Sequence, residues 1–124
     1  MGETYVKVKL RANEKEVVKK LLVDTDSIFS WIRTETLQKL EVKPTDKLRF
    51  ETIEGRRVIR EISMLEVECL GRRAPTVIVF AKGRDSEVLG LHALEGLALE
   101  VDPVRGKVRK VRAIRAFKGI REAV

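Results

Sequence analysis

Apolar and polar residues alternate strictly through Thr4-Tyr5-Val6-Lys7-Val8-Lys9-Leu10, the period of a half-buried strand. Residues 11–15 read as a turn. Residues 16–23 (EVVKKLLV) read as the returning strand, and its apolar end is expected to enter the core. The run stops at Asp24-Thr25-Asp26-Ser27, and apolar character resumes over 28–32 (IFSWI). Thr34 is placed to cap a short helix over 35–40. Residues 47–53 and 56–70 flank Glu54-Gly55 as a hairpin, with the glycine supplying a positive φ.

The second half repeats this punctuation. Residues 71–73 turn, 74–81 form a strand, and 82–86 form a loop. Residues 87–101 (EVLGLHALEGLALEV) combine a short apolar run, a glycine, a small helix and a strand start. After a turn at 102–106, residues 107–114 have the pattern of a last strand. Val108, Val111, Ile114, Phe117 and Ile120 also recur every third residue, which leaves an amphipathic helix open for the tail.

Short strands, tight turns and one or two brief helices predict an all-β, mostly antiparallel closed barrel over 1–112, with a basic tail over 113–124. The chain also echoes itself. LLVDT…ETLQKLEV and EVLGLHALEGLALEV each run from apolar strand through a sharp break to a short helix and Glu-Val. Approximate internal two-fold symmetry is the expected cause.

Composition narrows the picture. A length of 124 residues with 44% hydrophobic side chains suits one domain with an aliphatic core. No apolar stretch reaches membrane-spanning length, and residues 1–10 lack a signal-peptide core, so a cytoplasmic protein with no membrane partner is expected. A 36% charged fraction beside one Asn and one Gln points to a thermophilic source. The net charge of +7 comes from the end of the chain. Residues 103–124 hold eight bases and one acid, which leaves 18 of each in 1–102. A basic arm for nucleic acid, anionic lipid or an acidic partner is one reading of that segment, and a last strand with a solvated, frayed end is the other.

Single chemical groups exclude several classes. The lone Cys69 forms no internal disulfide and reads as a buried structural thiol. One His and one Cys without ligand spacing give no metal site and no cofactor. His92 has no nucleophile partner and is expected at a surface or rim.

Three blocks together resemble the retropepsin-like aspartic proteases, in their small single-domain archaeal and bacterial form. They are LLVDTDS, the hairpin FETIEGRRV, and VLGLHALEGLALEVDPVRGKV. The resemblance covers residues 3–112. It implies a homodimer, a peptide or protein substrate, and Asp24 as the one catalytic acid per subunit. Thr25 would brace the dimer axis, with Asp26 and Ser27 supporting the site. Ile53, Glu54 and Gly55 would form the tip of a flap over the substrate, although Glu54 taken alone reads as a solvated turn residue. The shifted register, with Asp26 catalytic, gives Asp-Ser-Ile and fits less well. Asp26 occupies the position where the family motif has glycine, and is expected to point outward and cap the turn that follows. The expected function is a homodimeric aspartic endopeptidase. The alternative is a catalytically impaired dimeric binding or scaffold domain on the same fold, because of Asp26.

Overall fold

The computed structural model describes residues 2–116. Phe117, Ile120 and most of the 113–124 tail lie outside the described residues; of the proposed helical repeat, Val108 lies in a strand and Val111 and Ile114 lie in no helix. Nine strands and two short helices occur among the described residues. β1 (Tyr5–Ala12) and β2 (Lys15–Asp24) form the first hairpin. β3 (Ser30–Arg33) leads into α1 (Thr34–Lys39). β4 (Asp46–Glu51) and β5 (Arg57–Cys69) form a long hairpin, and β5 continues into β6 (Arg72–Ala81). β7 (Val88–Gly90) leads into α2 (Leu91–Gly96), and β8 (Leu99–Asp102) pairs with β9 (Lys107–Lys110).

The main sheet runs β1-β2-β7-β3-β6-β5, and β1 pairs back onto β5. Six strands therefore close into a barrel, with β4 attached to the outer half of β5. Inward residues alternate along the strands, as a closed barrel requires. Val8, Leu10, Leu21, Ile32, Leu65, Val67, Ile78, Phe80 and Leu89 fill the interior. Leu37, Leu40, Leu94 and Leu97 bring both helices onto it. Cys69 is 2% exposed, and burial pushes its thiol up from the usual value. That is the behaviour of a packing residue.

The ladders are not all antiparallel. β2 pairs parallel with β7, and β3 pairs parallel with β6. The short strands β3 and β7 meet antiparallel at Trp31 and Val88. A local two-fold between them relates the β1–β2 hairpin to the β5–β6 hairpin, and β3–α1 to β7–α2. The echo in the sequence has this geometric basis.

The helix ends repeat it too. Asn13, in the β1–β2 turn, donates to the carbonyls of Leu40 and Glu41 at 2.8 Å each. Arg72, at the β5–β6 turn, donates to the Ala98 carbonyl at 3.1 Å. Each hairpin turn thus satisfies carbonyls left over at one helix end. Glu41 and Ala98, just past those ends, both adopt positive φ, at 58° and 53°.

Two local expectations are corrected. Thr34 is the first residue of α1 and not its cap; its hydroxyl donates to the Ala81 carbonyl at 3.0 Å, tying α1 to the end of β6. The last strand stops at Lys110, because only the stretch opposite Leu99–Asp102 finds ladder partners. Residues 111–116 follow outside any strand.

Among the described residues, one buried side-chain polar atom lacks a partner. Thr76 is 2% exposed on β6, and its Oγ1 makes no hydrogen bond. Replacing a buried unsatisfied hydroxyl by a methyl of the same shape removes a desolvation cost. Thr76→Val is expected to stabilise the chain by about 1 kcal/mol. The check is a higher urea midpoint at unchanged m-value.

Candidate active site: the Asp24 loop

Asp24 is the last residue of β2 and stands opposite Gly90, the last residue of β7. Because β7 lies between β2 and β3, the chain must cross over the end of β7 to pass from Asp24 to Ser30. Residues 25–29 make that crossing. The Ser27 N–H donates to the Asp24 carbonyl at 3.2 Å. The Asp26 N–H donates to Asp24 Oδ1 at 3.0 Å, an Asx turn that orients the carboxylate. Asp24 is half-buried, whereas Thr25 and Asp26 are exposed. No ion pair among the described residues involves Asp24 or Asp26.

The crossing loop also caps α2. The Leu91 N–H donates to the Ser27 carbonyl at 2.8 Å, and the His92 N–H to the Ile28 carbonyl at 2.9 Å. The Gly90 N–H donates to the buried Ser30 Oγ at 2.9 Å. Helix α2 therefore begins on donors satisfied by the loop that carries Asp24. The Ser27 hydroxyl donates to the Phe29 carbonyl at 2.7 Å and tightens the same turn. The approach leaves no room at Gly90. A Cβ there would sit 2.6 Å from the Phe29 carbonyl carbon and 2.8 Å from the Ser27 oxygen, both backbone atoms.

Asp26 is exposed, and the cap expected of its carboxylate is not formed among the described residues; Asp24 holds the turn instead. Asp26 is not among the residues of positive φ. Glycine's conformational freedom is therefore not needed there, and the backbone N–H that faces Asp24 is present with any residue except proline.

His92 is exposed, with its ring 5.9 Å from that of Phe29. Its backbone serves the loop, a role the side-chain pattern did not suggest. Gly90 and Ser30 were also missed as site residues. The available signal was one hydroxyl inside the apolar run IFSWI, and one glycine ending VLG.

Ile53, Glu54 and Gly55 lie at the tip of the β4–β5 hairpin. The turn closes through Gly55 N–H to the Thr52 carbonyl and Thr52 N–H to the Arg56 carbonyl, at 2.9 and 2.8 Å. Gly55 has φ 83°, as expected for this turn, and Ile53 is 94% exposed.

Beside Thr25 lies an apolar groove of about 440 Å³, lined by Leu91, Leu94, Leu99, Val101, Val111 and Ile114. Ile28, 65% exposed on the crossing loop, adds apolar surface to the same end of the barrel. Among the described residues, no group of three or more His, Cys, Asp and Glu is placed to hold a metal, and no helix is long and apolar enough to cross a membrane. The chain matches no protein-family model, and no curated protein matches it in sequence.

Gly90→Ala is expected to cost about 3 kcal/mol, because the clash is with backbone that no rotamer relieves. Denaturant unfolding measures the loss. Ser30→Ala leaves the Gly90 N–H buried without a partner and is expected to cost about 1–2 kcal/mol.

Proposed function

We propose that the chain is a homodimeric aspartic endopeptidase with Asp24 as the catalytic residue of each subunit. The observation that carries this reading is the Asp24 loop. A half-buried carboxylate, unpaired with any cation among the described residues, is oriented by the Asp26 N–H where two parallel strands end. The closed barrel with one projecting hairpin is the architecture that the resemblance to retropepsin-like proteases calls for.

A dimer is needed because one carboxylate cannot perform both roles of the reaction. Two Asp24 groups brought together across a two-fold axis cannot both ionise cheaply, so the pair keeps one proton. The ionised member takes a proton from water as it attacks the scissile carbonyl. The protonated member donates to the carbonyl oxygen as negative charge develops there. The resulting tetrahedral carbon collapses when the leaving amine receives a proton from the pair. Exposed Thr25 and the apolar groove beside it supply surface for the second copy. The hairpin tip at Ile53–Gly55 offers backbone groups to an extended peptide, which favours a peptide or protein substrate.

Asp26 favours a second reading, an impaired dimeric binding or scaffold domain. Its exposed carboxylate adds two more acids near the axis of such a dimer, which favours protonation of the Asp24 pair.

A mixed peptide library assayed from acidic to neutral pH separates the two. Hydrolysis that falls at least about a thousandfold in Asp24→Asn supports the peptidase. No cleavage by the wild type, with cleavage appearing in Asp26→Gly, supports the impaired domain. Sedimentation is expected to give a dimer; a strict monomer removes the shared pair and both readings.

A further inference from the structure

A row of side chains lies on the outer face of the barrel, outside the main core. Val88 on β7, Trp31 on β3, Val79 on β6 and Ile62 on β5 are register partners in sequence across four strands. Val79 and Val88 are buried, yet neither belongs to the interior cluster. What covers this row includes the β4–β5 arm. The Phe50 ring meets Trp31 edge-on, with centroids 5.0 Å apart.

The arm is tied down a second time near its root. Arg60 on β5 donates to both carboxylate oxygens of Asp85, at 2.6 and 3.0 Å. Asp85 also accepts the Lys82 N–H at 2.8 Å, which fixes the 82–85 turn. Burial pushes the Asp85 carboxyl up. The hydrogen bonds from Arg60 and Lys82, with the charges of Arg60 and Arg33, outweigh this and hold it below the ordinary range. A lowered native value means the bridge stabilises above about pH 4 and is lost as pH falls through that native value.

Beyond these ties the arm has little else. Residues 57–61 pair only with β4, since β6 pairing begins at Ile62. Among the described residues, no strand pairs with the outer edge of β4. Trp31 directly follows Ser30, the side chain that holds the Gly90 N–H. The arm thus touches down one residue from the loop that orients Asp24.

We propose that Phe50 on Trp31 and Arg60 on Asp85 form a two-point latch that holds the β4–β5 arm in its closed position and sets how readily it opens. Both ties sit on the outer face, so opening leaves the interior core intact. Its significance for catalysis rests on the peptidase reading, in which an extended peptide must pass under the arm. The latch residues are positioning residues: they act through the arm and not on the substrate.

The test is hydrogen exchange of the full chain, read by peptide mass, with emission of Trp31, the only tryptophan of the chain. Phe50→Ala and Asp85→Asn are each expected to speed exchange over 47–61 by about three- to tenfold, with β1, β2 and β6 unchanged. Phe50→Ala is also expected to shift Trp31 emission to the red. Phe50→Tyr, which keeps the ring, is expected to restore both. Unchanged exchange over 47–61 overturns the latch. So does equal acceleration throughout the barrel, which would make these residues ordinary stabilisers. If the wild type cleaves peptides, both opened variants are expected to change KM more than kcat. If it cleaves none, the peptidase reading fails while the exchange result still decides the latch.

Discussion

The structure turns on one crossing. The chain passes over the end of β7 between Asp24 and Ser30, and its carbonyls accept the N–H groups that begin α2. Two problems are solved by the same bonds. A loop in this position carries backbone groups that need partners, and so does the first turn of a helix. The close approach requires a residue without a side chain at Gly90. Everything proposed for Asp24 depends on this contact, since it fixes where β2 ends and which way the carboxylate faces.

The same solution appears twice in outline. Each half of the barrel contributes a hairpin, a short strand and a six-residue helix, and each hairpin turn caps the far end of a helix. The halves are not chemically equal. One cap is an asparagine and the other an arginine, and only the β2 end carries an acid; β6 ends at Ala81. The β4–β5 arm has no counterpart in the first half, so only one side of the barrel is covered in this way.

Charge is likewise organised locally. The basic excess after residue 102 is partly met in the structure, because Arg109 on β9 pairs with Glu100 and Asp102 on β8. An extended count along the sequence overstates the free charge there. Two of the few aromatic residues, Trp31 and Phe50, form the outer contact of arm and barrel.

The alternation of apolar residues determined the β class, most strand positions, both helices and the position of Gly55, because burial on one face imposes period two and a tight turn imposes its own φ. The stretch LLVDT also sufficed to single out Asp24 at a strand end. Beyond the hairpins, which strands lie side by side was decided by tertiary structure alone. The parallel pairings of β2 with β7 and β3 with β6 join residues more than 45 positions apart, and a strand's own pattern is the same whichever neighbour it has. Ser30, Gly90 and the backbone of His92 became site residues only through that closure. Asp26 reads as a break in a motif until the fold shows that its contribution is a main-chain N–H, which no substitution short of proline removes.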